Sequence, residues 1–503
     1  MKQINKQSLK NLNIQFIPAK PQMKKVKVWD QDFLYDTNSM ALYTQAENEE
    51  TKLEGVDEVS FFEKSNEPQE KHIVFQATYA CNLKCRYCFV ENHYCNHTNT
   101  LTEDEHYVAL KKYQPSGNYR LGWFGGEPLL NWEVIFKVTE KLFKEAKDNG
   151  KQLPKCHITS NGVLITEEIA NYCAKHNFSW IISLDGPENI HDQNRPYRDG
   201  QGSFKETMRG LKYLAEAYKN LNKSNPITLR ATFDTVSPDI LETTKFLNEL
   251  MYKGLASHVS VEPSCLGEGC SVGTDKRIEG LKIAEIRALF FPQYQETAKW
   301  FLKEVQEGRK PSIHHFQMPL QRIYDRDYAI SECGAGMGYI SVGPLGKICA
   351  CHREHKTEMG SMENGIDKIK QAKWLDNRFY VRELCPTCWR RAICGGGCRC
   401  NSLLVLNKIN QPAPVECLFH DMQFKSAMWL LSKMTKKQKE LYSKKDQNRQ
   451  IQSIQRNQSQ RVLKPLAKKD ECNCSGDQCK PKKENQGCSL ECQSTCMYPQ
   501  EIK

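Results

Sequence analysis

The sequence predicts an α/β protein, a parallel sheet with crossover helices followed by a cysteine-rich domain, and three observations carry that expectation. From His72 to about Cys265, short β-rich runs alternate with amphipathic helical stretches. Polar or glycine-bearing residues follow each run, where α/β barrels and sheets keep their chemistry, at the carboxyl ends of the strands. Beyond Cys333, cysteines crowd into a region poor in periodic structure, of the kind that needs metal to fold.

Taken in order, residues 1–70 include DFLYDTNSMALYTQ, two short β-like runs around an Asp-Thr-Asn-Ser turn. They read as a small hairpin-bearing module, with peptide-leader binding as one role. Six candidate strands follow: HIVFQATYA, YRLGWFGG, CHITSNG, SWIISLDG, ITLRATFDT and HVSVEPS. Between them, NWEVIFKVTEKLFKEAKDNG has apolar residues at helical spacing and ends in a glycine that suits a helix C-terminus. Residues 71–300 are assigned to this α/β domain, which ends in a helix from about Gly280 to Gln306. Residues 301–430 are the cysteine-rich domain, and residues 431–503 a basic, flexible, cysteine-rich tail.

A chain of 503 residues has material for two or three domains and a sizeable core. It contains no apolar run of about 18 residues, and MKQINKQSLKNLNIQF lacks the apolar block and cleavage site of a signal peptide. A cytoplasmic protein without a membrane partner is expected. There, 23 cysteines cannot form a disulfide scaffold, because glutathione keeps thiols reduced, so metal or cluster ligation is the better reading. The net charge of +11 is concentrated at one end, with 17 Lys and Arg against 8 Asp and Glu from Lys425 to Lys503. That stretch has no aromatic interleaving and no nucleic-acid module, so a solvated helix or flexible linker is expected in place of a nucleic-acid surface.

The chemistry starts at CNLKCRYC, which places Cys81, Cys85 and Cys88 at C-x3-C-x2-C in the loop after the first strand. Three thiolates on one short loop can hold three irons of a 4Fe-4S cube and leave the fourth iron without a protein ligand. A zinc site would want a fourth ligand, for which Cys95 or His93 is at hand. The balance tips toward iron because WFGGEP, SNG and SLDGP with HDQNRP stand at the ends of later strands.

Together these residues resemble the radical S-adenosylmethionine (SAM) enzymes, in particular their SPASM-domain branch, over about His72 to Met428. The resemblance implies a partial six-stranded (β/α) barrel in which the open iron chelates S-adenosyl-L-methionine. Reductive cleavage then yields a 5'-deoxyadenosyl radical that takes a hydrogen atom from the substrate. It also implies a catalytic role for Cys81, Cys85 and Cys88, and an electron donor such as flavodoxin or ferredoxin. Gly125, Gly126, Glu127 and Pro128 look like the motif contacting the methionine ammonium. Ser183 and Asp185 look like strand-end residues near the ribose and substrate, and Arg195 like a partner for a carboxylate. An ordinary loop salt bridge is the alternative for Asp185 and Arg195.

Further on, CGAGMGYISVGPLGKICAC, CPTCWRRAICGGGC and Cys417 read as C-x12-G-x4-C, C-x2-C-x5-C-x3-C and a lone cysteine. A zinc ribbon is the bland reading. The spacing closely resembles the seven-cysteine SPASM motif, which binds two auxiliary 4Fe-4S clusters, so three clusters are expected in all. By that analogy Cys385, Cys388, Cys394 and Cys417 hold the distal cluster, and Cys333, Cys351 and Cys398 the proximal one. The proximal set is a ligand short. Some family members carry an eighth cysteine six residues before the first, where this chain has Asp327. Cys265, Cys270 or Cys349 is a substitute, or the position stays open for a substrate thiolate.

Within the branch, the expected reaction is maturation of a Cys-containing ribosomal precursor peptide by thioether cross-linking. The alternatives are anaerobic sulfatase maturation, which makes formylglycine, and a non-catalytic iron-sulfur electron-transfer protein. Sulfatase-maturing enzymes typically carry an Asp directly after the second SPASM cysteine, and here the residue is His352. Electron transfer alone has no need of a GGEP motif beside a three-cysteine loop. The tail sequence CSLECQSTCMYP repeats a C-x-x-x spacing at Cys488, Cys492 and Cys496 and is similar to the targets of maturases that act on such repeats. It is expected to be substrate or substrate mimic. A disordered tail, or an accessory metal site with Cys472, Cys474 and Cys479, is the alternative.

Overall fold

The structure is a computed structural model. It describes residues 23–443 apart from 30, 38–39, 41, 45–70, 91–98, 114–118, 265–282, 328, 330, 345, 354 and 376–381. His93, Cys95, Cys265, Cys270 and every cysteine of the tail lie outside the described residues.

The N-terminal hairpin is present as β2 (Gln31–Asp36) and β3 (Leu42–Thr44), with Phe33 opposite Thr44. A further strand, β1 (Met23–Val28), pairs antiparallel with β2 and buries Val26 and Val28 on alternate positions.

All six expected strands form and pair in parallel in chain order: β4 (Lys71–Thr78), β5 (Tyr119–Gly125), β6 (Lys155–Ser160), β7 (Ser179–Ser183), β8 (Ile227–Phe233) and β9 (His258–Pro263). Parallel neighbours require crossovers, and these are α1 (Glu103–Tyr113), α2 (Trp132–Asp148), α3 (Glu167–Lys175), α4 (Glu188–Asn194), α5 (Phe204–Asn220) and α6 (Ile240–Tyr252). Helix α2 shows why the helices form. Ile135, Val138, Thr139, Leu142, Phe143 and Ala146 recur every three or four residues and are buried, while Lys137 and Glu133 pair on the exposed side at 2.7 Å. The helix stops at Asn149, and Gly150 takes up a left-handed φ of 60°. Thr166 caps α3 by accepting from Ile169 N. Beneath the helices, Phe75, Trp123, Phe178 and Trp180 are fully buried, each worth roughly 1.5–3 kcal/mol of transfer free energy.

Helices α7 (Ile283–Gln306) and α8 (His314–Asp325) lead to the cysteine-rich region, which is more regular than expected. β10 (Tyr339–Val342) pairs parallel with β4, setting Tyr339 opposite His72. β11 (Lys347–Cys349), β12 (Glu358–Ser361) and β13 (Gly365–Ile366) continue antiparallel, so one sheet of ten strands runs through both regions. Strands of two to four residues are too short to show an alternation in sequence. After α9 (Lys368–Leu375), α10 (Arg391–Cys394) and α11 (Arg399–Leu406), the long α12 (Pro414–Lys433) is buried on most of its faces and therefore lacks a polar stripe. Its Phe419 lies 5.8 Å from Phe233 of β8 and 5.2 Å from Phe290 of α7, ring centroid to ring centroid.

Candidate active site

The three-cysteine loop leaves the carboxyl end of β4 and is tied down by its backbone. Lys84 N donates to Pro196 O at 2.8 Å, Arg86 N to Asn194 O at 2.9 Å and Cys88 N to Cys85 O at 3.1 Å. Cys81 Sγ accepts from Leu83 N at 3.4 Å, and Asn161 Nδ2 lies 4.0 Å from it. Asn161 also donates to Asn82 Oδ1 at 2.8 Å, while Asn82 Nδ2 is buried with no partner among the described residues. Burial raises the Cys85 thiol to about 12, against a lowering by Arg195, and raises Cys81 further. Buried thiols of this kind ionise when a metal supplies the compensating charge.

Beside the loop, the GGEP turn packs backbone against backbone. A Cβ on Gly126 would lie 2.1 Å from Ala80 O, and one on Gly125, whose φ is 139°, would lie 2.2 Å from Thr78 O. Gly126 N and Glu127 N donate to Thr78 O and Ala80 O at 2.7 and 2.8 Å. The glycines thus let the end of β5 approach the segment that launches Cys81. Glu127 is fully buried. Its Oε1 accepts from Ser160 Oγ at 2.8 Å and Leu129 N at 3.1 Å, and its Oε2 from Asn161 N at 2.8 Å. Burial raises its carboxyl to about 7 despite these donors.

Ser183 ends β7, half-buried and in register with Arg230. Asp185 and Arg195 are brought together as a buried ion pair, Arg195 Nε to Asp185 Oδ1 at 3.0 Å. Asp185 also accepts from Thr232 N at 3.0 Å and from the Tyr87 hydroxyl, and Arg195 Nη1 reaches Cys85 Sγ at 3.8 Å over the Tyr87 ring. Tyr87 sits between two of the three cysteines in CRYC; an aromatic there was the signal for this role.

The second cysteine set separates into two neighbourhoods. Cys385, Cys388, Cys394 and Cys417 influence one another electrostatically, and Arg390 Nη1 ties the group by donating to Cys417 O at 3.0 Å and Asp421 Oδ1 at 2.8 Å. Gly395, Gly396 and Gly397, all with φ between 69° and 96°, then turn the chain toward Cys398. The buried Arg382 holds that turn by donating to Gly396 O at 2.6 Å and Gly397 O at 3.1 Å. Cys398 neighbours Cys333, Cys351 and a cysteine outside the seven-position spacing, Cys400. A polar bridge joins the neighbourhoods: His420 lies 3.2 Å from Cys394 Sγ and 3.5 Å from Glu332, and Glu416 accepts from Cys398 N at 2.7 Å. Sequence spacing did not single out Glu332, Glu416 or His420: Glu416 and His420 stand one turn apart on α12, and only folding brings Glu332 from the segment before β10 to meet them.

Residues 75–237 match the Radical SAM superfamily. The radical SAM cyclopropyl synthase TigE of Paramaledivibacter caminithermalis is 24% identical over 349 residues, 66% of this chain and 68% of that protein. The cysteine-type anaerobic sulfatase-maturating enzyme of Clostridium perfringens is 25% identical over 342 residues, 65% of this chain and 88% of that protein. The solved structure of native anSMEcpe with bound AdoMet shares the fold, with a TM-score of 0.57 at 21% identity over 72% of this chain and 98% of that one. Residues 75–237 carry a Radical SAM domain.

A radical SAM enzyme uses a 4Fe-4S cluster with SAM, and the residues here fit both. Three thiols stand on one loop, the buried Asn82 amide donor beside Cys81 lacks a partner among the described residues, and Gly125, Gly126, Glu127 and Asn161 lie at the adjoining strand ends. His352 approaches the loop from the second cysteine set, its ring 4.4 Å from that of Phe124 and 6.4 Å from that of Phe89, with Nδ1 hydrogen-bonded to the Tyr339 hydroxyl. A separate cavity of about 620 Å³ is lined by Lys27, Trp29, Arg287, Phe291, Lys299 and Lys425, none of which belongs to the cysteine loops. No helix among the described residues is long and apolar enough to cross a membrane.

Proposed function

We propose that this chain is a radical SAM peptide maturase that forms thioether cross-links in a Cys-containing ribosomal peptide. The observation that carries the reading is the placement of the Cys81, Cys85 and Cys88 loop against the GGEP turn at the carboxyl ends of β4 and β5, with Cys333 and Cys351 flanking β10 and β11, which extend the same sheet. In this reading Cys81, Cys85 and Cys88 hold the cluster that cleaves SAM. Gly125, Gly126 and Glu127 flank the methionine end of SAM, and Ser183 the ribose. Glu127 acts by tying the turn after β5 to the end of β6, since its oxygens accept from Leu129, Ser160 and Asn161, while its own N–H donates to Ala80 O beyond β4. Asp185 and Arg195 act on the loop, gripping Tyr87 and Cys85. When bound, cluster and SAM supply a 5'-deoxyadenosyl radical that removes a hydrogen atom from the peptide. Flavodoxin or ferredoxin supplies the electron, and the SPASM cysteines hold two further 4Fe-4S clusters.

A peptide partner is supported by the solved relative that contains the Cp18Cys peptide. Four cations and two aromatic rings around the 620 Å³ cavity suit an acidic leader segment, and the presence of Lys27 and Trp29 in its lining supports the reading of the N-terminal module as leader-binding. Sulfatase maturation is the second reading, favoured by the names of relatives such as the Clostridium perfringens enzyme. His352 stands where the sulfatase-maturing enzymes typically have an Asp, and its Nδ1 is already engaged by Tyr339.

The test is anaerobic reconstitution, reduction, and reaction with SAM and a Cys-containing peptide. Thioether formation keeps sulfur in the product and removes two hydrogens per cross-link, with the cysteine lost to alkylation. Formylglycine made from cysteine loses the sulfur. About twelve irons per chain are expected, and replacing Cys81, Cys85 and Cys88 with Ala removes about a third of them together with all SAM cleavage. An unchanged iron count overturns the assignment of the loop.

A further inference from the structure

Spacing alone leaves the proximal SPASM site with Cys333, Cys351 and Cys398, and Asp327 where an eighth cysteine stands in some relatives. We infer that Cys400 is the fourth protein ligand of the proximal cluster, an inference that rests on reading the second cysteine set as cluster sites. Cys398 caps α11, its Sγ accepting from Asn401 N at 3.4 Å, and Cys400 lies in the first turn of the same helix. The Cys400 thiol is buried and lies within hydrogen-bond reach of both the Cys351 and the Cys398 sulfurs. The segment carrying Cys351 is fastened to this turn by Arg353, whose Nη1 donates to Asn401 Oδ1 at 2.8 Å. The Tyr339 phenol has Cys333, Cys351 and Cys400 around it, so the sulfurs of three separate chain segments face one space.

Two guanidiniums border that space. Arg353 faces Cys351, Cys398 and Cys400, and Arg399 hydrogen-bonds Cys333. Among the described residues Arg399 otherwise donates to Ala335 O at 3.2 Å, Ser331 Oγ at 3.3 Å and Trp374 O at 3.4 Å, and Arg353 to the Asn401 amide, all neutral acceptors, with the Glu416 carboxylate also near Arg353. Positive charge held away from water calls for an anion close by, and iron with four thiolates is one. Cys349 is worse placed: its thiol hydrogen-bonds Thr357 and lies beside Glu358 and Lys347, with Cys351 as its one neighbour among the proximal cysteines. With four cysteine ligands, each losing its thiol proton on assembly, the proximal site keeps no position for a substrate thiolate. The spare cysteine in GGGCRC compensates for the absent one at position 327.

The test uses the full-length chain with Cys81, Cys85 and Cys88 replaced by Ala, which removes the loop's open iron and leaves the auxiliary clusters. After anaerobic reconstitution and reduction, electron paramagnetic resonance spectra are recorded with and without cyanide, a ligand for open iron. The parent should show no shift on adding cyanide. Cys400→Ala should either acquire a cyanide-dependent signal or lose about four irons, while Cys349→Ala behaves as the parent. A cyanide shift in the parent, or a Cys400→Ala protein matching the parent in iron and spectrum, overturns the inference while leaving the cluster reading intact. The same holds if Cys265→Ala or Cys270→Ala opens the cluster instead. A parent that takes up no iron overturns both. If Cys400→Ala does not fold, the parent with cyanide and the Cys265→Ala and Cys270→Ala proteins still decide the matter.

Discussion

Arg195 and Asp185 form a buried ion pair at 3.0 Å, and the same guanidinium reaches Cys85 Sγ at 3.8 Å. The end of β7 is thereby coupled to the three-cysteine loop on β4. Asp185→Asn leaves a buried guanidinium without its counter-charge, which costs about 3–5 kcal/mol. The expected outcome is a lower thermal midpoint and weaker iron retention at the loop, measured without any peptide present. An Asp185 that serves only ribose or substrate would leave both unchanged and impair turnover alone.

Glu127→Gln keeps the shape of the buried side chain but turns one acceptor into a donor. If the amide oxygen stays with Ser160 and Leu129, its NH2 group meets the Asn161 N–H that now donates to Oε2. Leaving that donor unsatisfied costs about 1–3 kcal/mol. SAM affinity should fall by roughly tenfold or more by that same penalty, while the SPASM clusters keep their iron. Equilibrium binding of SAM, together with iron analysis, checks both halves.

His106 makes the chain sensitive to acid. Its Nδ1 donates to Thr102 O at 2.7 Å and its Nε2 accepts from Trp123 Nε1 at 3.3 Å, an arrangement open to the neutral ring alone. Burial lowers its pKa from 6.5 to about 4. Below pH 6.5 the unfolded chain takes up a proton that the folded chain refuses, so stability is full above that pH and declines as pH falls toward 4. At pH 5 the loss is about 2 kcal/mol. His106→Gln, which does not titrate, should flatten the dependence of the urea midpoint on pH between 7 and 5. An equal slope in variant and parent would assign the acid sensitivity elsewhere.

The C-x-x-x tail is predicted to be modified in cis or to compete with the peptide. A flexible chain of roughly 40 residues would have an end-to-end distance of about 30–40 Å and give effective concentrations near millimolar. Reduced enzyme with SAM and no peptide should then yield a digested tail fragment lighter by two hydrogens per cross-link, with one of Cys488, Cys492 or Cys496 protected from alkylation. An unmodified tail, together with unchanged turnover and peptide binding after deletion beyond Asp470, returns it to an ordinary cysteine-bearing end.

The six parallel strands, their crossover helices and the three-cysteine loop were legible in the sequence, because each depends on short-range pattern: apolar period, turn residues and the spacing of ligands on one loop. The short strands β10 to β13 and the buried α12 were not, since a strand of two to four residues has no period to display and a helix buried on most faces has no polar stripe. Pairing across the chain was beyond its reach for the same reason. Asp185 and Arg195 read equally well as substrate contacts or as a pair, and only folding puts one 3.0 Å from the other. Cys400 carried no signal beyond standing two residues after Cys398. Its meaning comes from Cys351, brought alongside by the antiparallel strands, and from Arg353, because sulfurs distant in sequence meet only where tertiary packing closes the space between them.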